Sequence, residues 1–372
     1  MLCIWFIIKG IMIRTRLYAL FFILLLAVYA AAQGDEVDKF VAAEMQAKHI
    51  PGVTLAVVKE GKVIKAKGYG LANVELNVPA GIDTVYKIGS ISKPIIATGI
   101  MMLVEEGKIG LDDKVSKYLD GAPDTWKDIS IRNFLSHTSG VVRESPGFNG
   151  GRVQPDFDVI KAAYTVPLNF VTGEKYEYCN VGYFSLAEII TRVSGKPWGE
   201  FLAERIFRPL AMNSTRTTTA FDIVPNRAAG YSFRDGKLYN SEVYVALRPS
   251  GAFLSTIGDM AKFEVALYSG QLLKKETLAR MWVPFELNDG KDSVYGLGWF
   301  VGAVNGRRRI NHGGSLNGFK SEFARFPDDK MTFIVLTNLN ENNPAEIARG
   351  VAALYIPELK EVPKPVVPQA VR

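Results

Sequence analysis

The sequence predicts an α/β chain of the α+β kind. One antiparallel sheet is built from both chain ends and flanked by helices, and a mostly helical lobe is inserted at about 110–285. Three observations carry this. Runs rich in β-branched residues cluster near the two ends, the stretch between them has helical spacing and loop-like punctuation, and the composition is globular. With 372 residues, 48% hydrophobic and 22% charged, the chain is neither disordered nor low-complexity and can bury a substantial core.

Arg14 and Arg16 precede the uncharged apolar run Leu17–Ala32, which ends in small residues at Ala30 and Ala32. That is the pattern of a signal peptide at 1–32, cut after Ala32, with an uncleaved anchor as the alternative. Met12 offers a second start. The globular part is expected over 33–356. Glu36–Lys48 has apolar residues at helical spacing (Val37, Phe40, Val41, Met45), and Pro51-Gly52 stops it. Val53–Val58 and Val63–Tyr69 read as strands joined through Lys59-Glu60-Gly61-Lys62, a hairpin signal. Ser90–Glu106 reads as a helix ending at Gly107. In the lobe, Phe184–Val193 and Trp198–Ile206 read as helices closed by Ser194-Gly195 and Pro209. Strand signals return at Gly296–Val304, Arg307–Asn311, Glu322–Phe326 and Met331–Asn338, and Ala345–Tyr355 is a final helix. Pro357–Arg372, with four prolines, is expected to be a loose tail.

Charge and composition exclude several functions. The formal net charge is +6, and Lys9, Arg14 and Arg16 in the leader supply half of it. No basic run marks a nucleic-acid partner, and membrane contact is expected only through an uncleaved leader. The two cysteines are Cys3 and Cys179, so the mature chain cannot form an internal disulfide. The three histidines, His49, His137 and His312, are scattered and make no metal-ligand set, so no metal or cofactor is expected. HExxH, Walker and GxSxG motifs are absent.

Ser90-Ile91-Ser92-Lys93 opens the predicted helix. Positions i and i+3 share a helical face, so the Ser90 hydroxyl and Lys93 amine would point into one cleft. Free N–H groups at the helix start would favour negative charge there. That suits a serine nucleophile attacking a carbonyl. Ser92 is a poor rival, because position 95 is Ile. SxxK alone is weak, and its bland alternative is a helix cap beside a solvated lysine. Two later segments strengthen it: Tyr178-Cys179-Asn180, and His312-Gly313-Gly314-Ser315 after the late strand Arg309–Asn311.

With these segments the chain resembles the serine β-lactamase-related family, which includes class C β-lactamases, DD-peptidases, D-amino-acid peptidases and some carboxylesterases. The resemblance covers most of 36–355 and extends to Leu135-Ser136-His137-Thr138-Ser139-Gly140, Tyr295-Gly296-Leu297-Gly298-Trp299 and Leu336-Thr337-Asn338. It implies a β-lactamase/transpeptidase-like fold. Ser90 would be acylated, Lys93 would deprotonate or stabilise it, and Tyr178 would relay protons to the leaving group. Asn180 would hold substrate, His312, Gly313 and Gly314 would line the far wall, and the N–H groups of Ser90 and Ser315 would form the oxyanion hole. Many relatives carry Lys-Thr-Gly at 312–314, so His312 weakens the case for strong carboxylate binding. Cys179 is read as a small buried hydrophobe and His137 as a packing residue. The division of base work between Lys93 and Tyr178 stays open.

The expected function is an exported serine hydrolase, periplasmic or secreted, acting on a small-molecule or peptide substrate through an acyl-enzyme. The alternatives are a carboxylesterase of the same fold and a non-catalytic binder of cell-wall peptide or penicillin.

Overall fold

The structure is a computed structural model and describes residues 36–217, 222–242, 249–251 and 253–360. The leader therefore lies outside the described residues. Helix α1 covers residues 36–47. It leads into strands β1 (Gly52–Lys59) and β2 (Lys62–Asn73), joined by a tight turn in which Glu60 and Gly61 both have positive φ, the backbone that reverses a twisted hairpin. Short strands β3 (Val78–Pro79) and β4 (Tyr86–Lys87) precede a 3₁₀ turn at Gly89–Ile91 and helix α2 (Ser92–Glu105). The lobe holds α3 (Ile131–Leu135), α4 (Asp156–Ala163), α5 (Asn180–Ser194) and α6 (Trp198–Leu202), then a β5–β6 hairpin (Tyr231–Arg234, Lys237–Asn240). Next come β7 (Leu254–Ser255), α7 (Ile257–Ser269) and α8 (Lys275–Met281). The chain returns to the sheet in β8 (Phe300–Val304), β9 (Arg307–Leu316), β10 (Phe319–Phe326) and β11 (Met331–Thr337), and ends in α9 (Pro344–Tyr355).

The main sheet has seven strands in the order β3-β2-β1-β11-β10-β9-β8, with antiparallel pairing at every described register. Its centre is the β1–β11 pair, Val53 opposite Thr337, so the two chain ends do meet as the sequence predicts. Alternation along β1 splits the core. Ala56 and Val58 face the larger cluster with α2, α5 and α7, whereas Val53, Leu55 and Val57 face a second cluster under α1 and α9. Gly350 lets those two helices touch, since a Cβ there would stand 2.0 Å from the Phe40 ring.

Three expectations need adjustment. Residues Pro357–Leu359 form a 3₁₀ turn with Leu359 buried in the outer cluster, because an apolar side chain there completes the cover of the sheet, so these three are not loose; 361–372 lie outside the described residues. Helix α7 falls within the span of the lobe yet packs on β1, β2 and β11. Strand β9 runs on through Gly313 and Gly314 to Leu316, because cross-strand pairing with β10 overrides the low strand preference of glycine.

Candidate active site

The site forms where three elements meet: the 3₁₀ turn before α2, the start of α5, and the free edge of β9 beyond its pairing with β8. Two glycines set the approach. Gly89 has φ +56, and a Cβ on it would lie 2.7 Å from Ser315 N. A Cβ on Gly314 would lie 2.0 Å from the Ile88 carbonyl and 2.2 Å from Ser321 Oγ. Only glycines let the Ser90 turn lie against the strand, where the Ser321 hydroxyl ties it by donating to the Ile88 carbonyl at 2.8 Å. Ser90 belongs to that turn rather than to the α-helix proper, and Ile91 is the α2 N-cap, so Ser90 makes no capping bond.

Lys93 is completely buried, unlike a solvated first-turn lysine. Its Nζ donates to Ser90 Oγ at 3.2 Å, to Asn180 Oδ1 at 2.8 Å and to the Ser250 carbonyl at 2.8 Å. It also lies 4.6 Å from the Tyr178 ring centroid. Burial pushes its pKa down to about 7, Glu144 and Cys179 oppose the shift, and Arg143 adds to it. Burial holds the Tyr178 phenol well above the usual range, with the neighbouring Ser90 hydroxyl opposing the shift, so it stays protonated at neutral pH. Lys93 is therefore the member of the pair that can take a proton from Ser90. Ser92 is buried, and its Oγ accepts from the Phe253 N–H at 3.1 Å, a structural bond.

Asn180 opens α5 and is held by Lys93 on one side and the Glu144 carboxylate on the other. Cys179 is the α5 N-cap: its Sγ accepts from Gly182 N at 3.3 Å and donates to the Val142 carbonyl at 3.4 Å. Burial pushes its thiol up to about 12. His137 packs 4.2 Å from Tyr178, centroid to centroid, and its Nδ1 accepts from the Cys179 N–H at 3.0 Å. Burial holds His137 well below its ordinary pKa, so this neutral ring orients Tyr178 and the α5 start.

His312 faces the cleft, but both ring nitrogens are engaged inside the protein. A carbonyl can only accept, so Nδ1–H donates to the Gly313 carbonyl at 2.7 Å. Nε2 is then the acceptor of the Tyr295 hydroxyl at 2.8 Å. Burial, with Lys93 nearby, lowers its pKa to about 3. The ring offers no cation to a substrate carboxylate. Tyr295 and Trp299 are fully buried, as packing residues should be.

The cleft holds about 730 Å³ and is lined by Ser90, Tyr178, Asn180, His312, Gly313, Gly314 and Ser315, so the structure brings together the expected site except for Lys93, which lies beneath its floor. It also places Arg143, Glu144, Ser250, Phe300, Lys320 and Glu322 on the walls. None of these sits in a motif. The period-two alternation of β10, which puts Lys320 and Glu322 on one face, is the one signal that could have pointed to the last two. Glu174 and Glu177, the acids nearest the Tyr178 motif, turn away: Glu174 accepts from Val171 N at 3.1 Å, and Glu177 pairs with Asn169.

Among known proteins, the model described as Beta-lactamase matches residues 37–356. The chain is 28% identical over 333 residues to a penicillin-binding protein of Bacillus subtilis (strain 168), covering 83% of this chain and 73% of the relative. The octameric penicillin-binding protein homologue from Pyrococcus abyssi superposes with a TM-score of 0.77 at 28% identity, covering 88% of this chain and 79% of that one. A D-stereospecific amidohydrolase from Streptomyces sp. shares the fold, with a TM-score of 0.71 at 24% identity over 86% of this chain and 98% of its own. The Ser90–Lys93–Tyr178 geometry and this likeness over nearly the whole described chain agree: the chain belongs to the Beta-lactamase family and is a serine hydrolase of the β-lactamase and penicillin-binding superfamily.

Proposed function

We propose that the chain is an exported hydrolase that forms an acyl-enzyme at Ser90 and turns over small esters and short D-residue amides faster than β-lactams. The observation that carries the acylation step is the buried Lys93 amine, 3.2 Å from Ser90 Oγ with a pKa near 7. A base poised at neutrality both exists in its free form and gains from accepting the proton. In this reading Lys93 takes the Ser90 proton as Oγ attacks the carbonyl carbon. The N–H groups of Ser90 and Ser315 hold the oxyanion, each such donor contributing about 3–4 kcal/mol. Tyr178, neutral and lining the cleft beside Ser90, hands its proton to the departing oxygen or nitrogen, and Lys93 restores it. Water then repeats the sequence on the acyl group.

The substrate preference rests on His312, whose neutral ring and engaged nitrogens leave a carboxylate without the cation that lysine provides in many relatives. The penicillin-binding relatives support a peptide-like or β-lactam ligand as something Ser90 can react with. Export rests on the leader pattern at 1–32, and a periplasmic or secreted location goes with it. Among the described residues no helix is long and apolar enough to cross a membrane.

The test is a side-by-side rate comparison on nitrocefin, p-nitrophenyl butyrate and D-alanyl p-nitroanilide, with intact mass recorded after each and after penicillin. The butyrate ester should be turned over fastest, penicillin should leave a long-lived adduct, and Ser90→Ala should show neither. A kcat/KM for nitrocefin about tenfold above the others, worth about 1.4 kcal/mol, would overturn the preference.

A further inference from the structure

A buried carboxylate lines the cleft beside the β9 edge. Glu322 on β10 stands opposite Gly313, is 3% exposed, and borders the same cavity as Ser90. Its Oε1 accepts from Asn311 Nδ2 at 2.9 Å, while Oε2 accepts no hydrogen bond among the described residues. Gly313 keeps that oxygen uncovered: a Cβ there would come within 3.2 Å of Oε2, so a side chain at 313 would cap it.

The cations nearby do not pair with it. Arg309 donates Nε to Asn311 Oδ1 at 3.2 Å and forms no ion pair with Glu322 within 4.0 Å. The Lys320 ammonium rests on Ser315 Oγ at 2.7 Å. Arg143 belongs to the lobe wall, with its guanidinium 5.1 Å from the Tyr178 ring centroid. Burial raises the Glu322 pKa, while the charge of Arg309 and the bond from Asn311 partly oppose the shift.

Its place along the substrate follows from the proton donor. The Tyr178 ring centroid lies 6.2 Å from that of His312, so a group leaving with the Tyr178 proton lies along 312–313. Strand rise puts Gly313 about 7 Å back from Ser315, within reach of a cation on a short spacer from the scissile oxygen or nitrogen. We propose that Glu322 forms a cation subsite on the leaving-group side of the cleft, so that the preferred substrates release an alcohol or amine carrying an ammonium or guanidinium group. This rests on Ser90 acylation as read above and names the substrate class.

Three butyrate esters with matched three-carbon spacers test it: those of 3-(trimethylammonio)propanol, 4,4-dimethylpentanol and 4-hydroxybutanoate. In the native protein the cationic ester should exceed its neutral isostere in kcat/KM by about tenfold, the range of the Coulomb attraction between a carboxylate and a cation at a partly buried site, with the anionic ester slowest. Glu322→Gln should bring the cationic-to-neutral ratio close to one. A native ratio near or below one overturns the subsite, and so does a preference that survives Glu322→Gln. Calorimetric titration of Ser90→Ala with butylammonium and with butyrate reads the subsite without turnover and should show heat for the ammonium alone. Equal or absent binding of the two overturns it even if Glu322→Gln fails to fold. If no ester is hydrolysed while butylammonium binds selectively, the acylation reading fails and the subsite stands.

Discussion

At the scale of single residues, the site is organised by what burial does to each ionisable group. The Lys93 pKa of about 7 predicts that kcat/KM for p-nitrophenyl butyrate rises with pH through neutrality to a plateau. The sign is that of a base: protonated Lys93 below pH 7 cannot accept the Ser90 proton. Glu144 holds the Lys93 pKa up, so Glu144→Gln should move this limb to lower pH, and a pH–rate profile of the two proteins checks it. Lys93→Arg should lose the limb together with the activity. Cys179 gives a second prediction. With a thiol pKa near 12 and a capping bond that serine can also make, Cys179→Ser should keep turnover within about threefold, and iodoacetamide should not inactivate the native protein. Complete loss in a folded Cys179→Ser protein would contradict the capping role. The residues with motif spacing were legible in the sequence because their chemistry is local: Ser90 and Lys93 are three apart, and Tyr178 and Asn180 two apart. Glu322, Arg143 and Ser250 were not, because chain separation hides which wall a residue will join. The loss of cationic character at His312 was legible, but its locking by Tyr295 was not.

At the scale of elements, the catalytic geometry depends on contacts with no spare volume. Gly314→Ala would push its Cβ into the Ile88 carbonyl and Ser321 Oγ, forcing the Ser90 turn off β9. Such overpacking costs about 1–3 kcal/mol of stability. Displacing the Ser90 turn by about 1 Å from Ser315 should lower acylation by about a hundredfold. Burst kinetics with p-nitrophenyl butyrate, alongside a denaturant midpoint, separate the two effects; an unchanged burst would show that Gly314 does not set the turn. The major elements were readable from periodicity, but their ends were not. The strand signal at Arg307–Asn311 stops short of the glycines, whereas ladder bonding to β10 carries the strand through 313 and 314 to Leu316. The two-residue β4–β7 pair is too short to leave any pattern, and it forms only because α2 and α7 bring Tyr86 opposite Ser255.

At the scale of the whole molecule, stability and activity are separated in space. Glu264 on α7 accepts from Arg325 Nε at 2.8 Å and Nη2 at 3.2 Å and from Thr332 Oγ1 at 2.9 Å, a buried pair away from the cleft. Glu264→Ala would leave Arg325 buried without its partner and should cost about 3–5 kcal/mol, read as a lower urea midpoint. The KM of the protein that remains folded should not move, and a changed KM would show that α7 reaches the site. The overall architecture was legible because the two β-rich ends have few other ways to satisfy their edges, whereas the helices of the lobe can be arranged in several ways by the same pattern. The β1–β11 pair at the sheet centre has a further consequence for how the chain folds. Val53 cannot find Thr337 until nearly the whole described chain has been made, so the central ladder closes a loop of more than 280 residues. Such non-local pairing must meet its loop-closure entropy before any contact rewards it, and it folds slowly. A nascent chain would pair β1 with β2 early but carry the other edge of β1 unpaired through most of synthesis, open to chaperones. The Ser90 turn cannot meet Ser315 before β9 arrives, so, with Ser90 acylation as proposed above, hydrolytic activity would appear only once the last strands are in place.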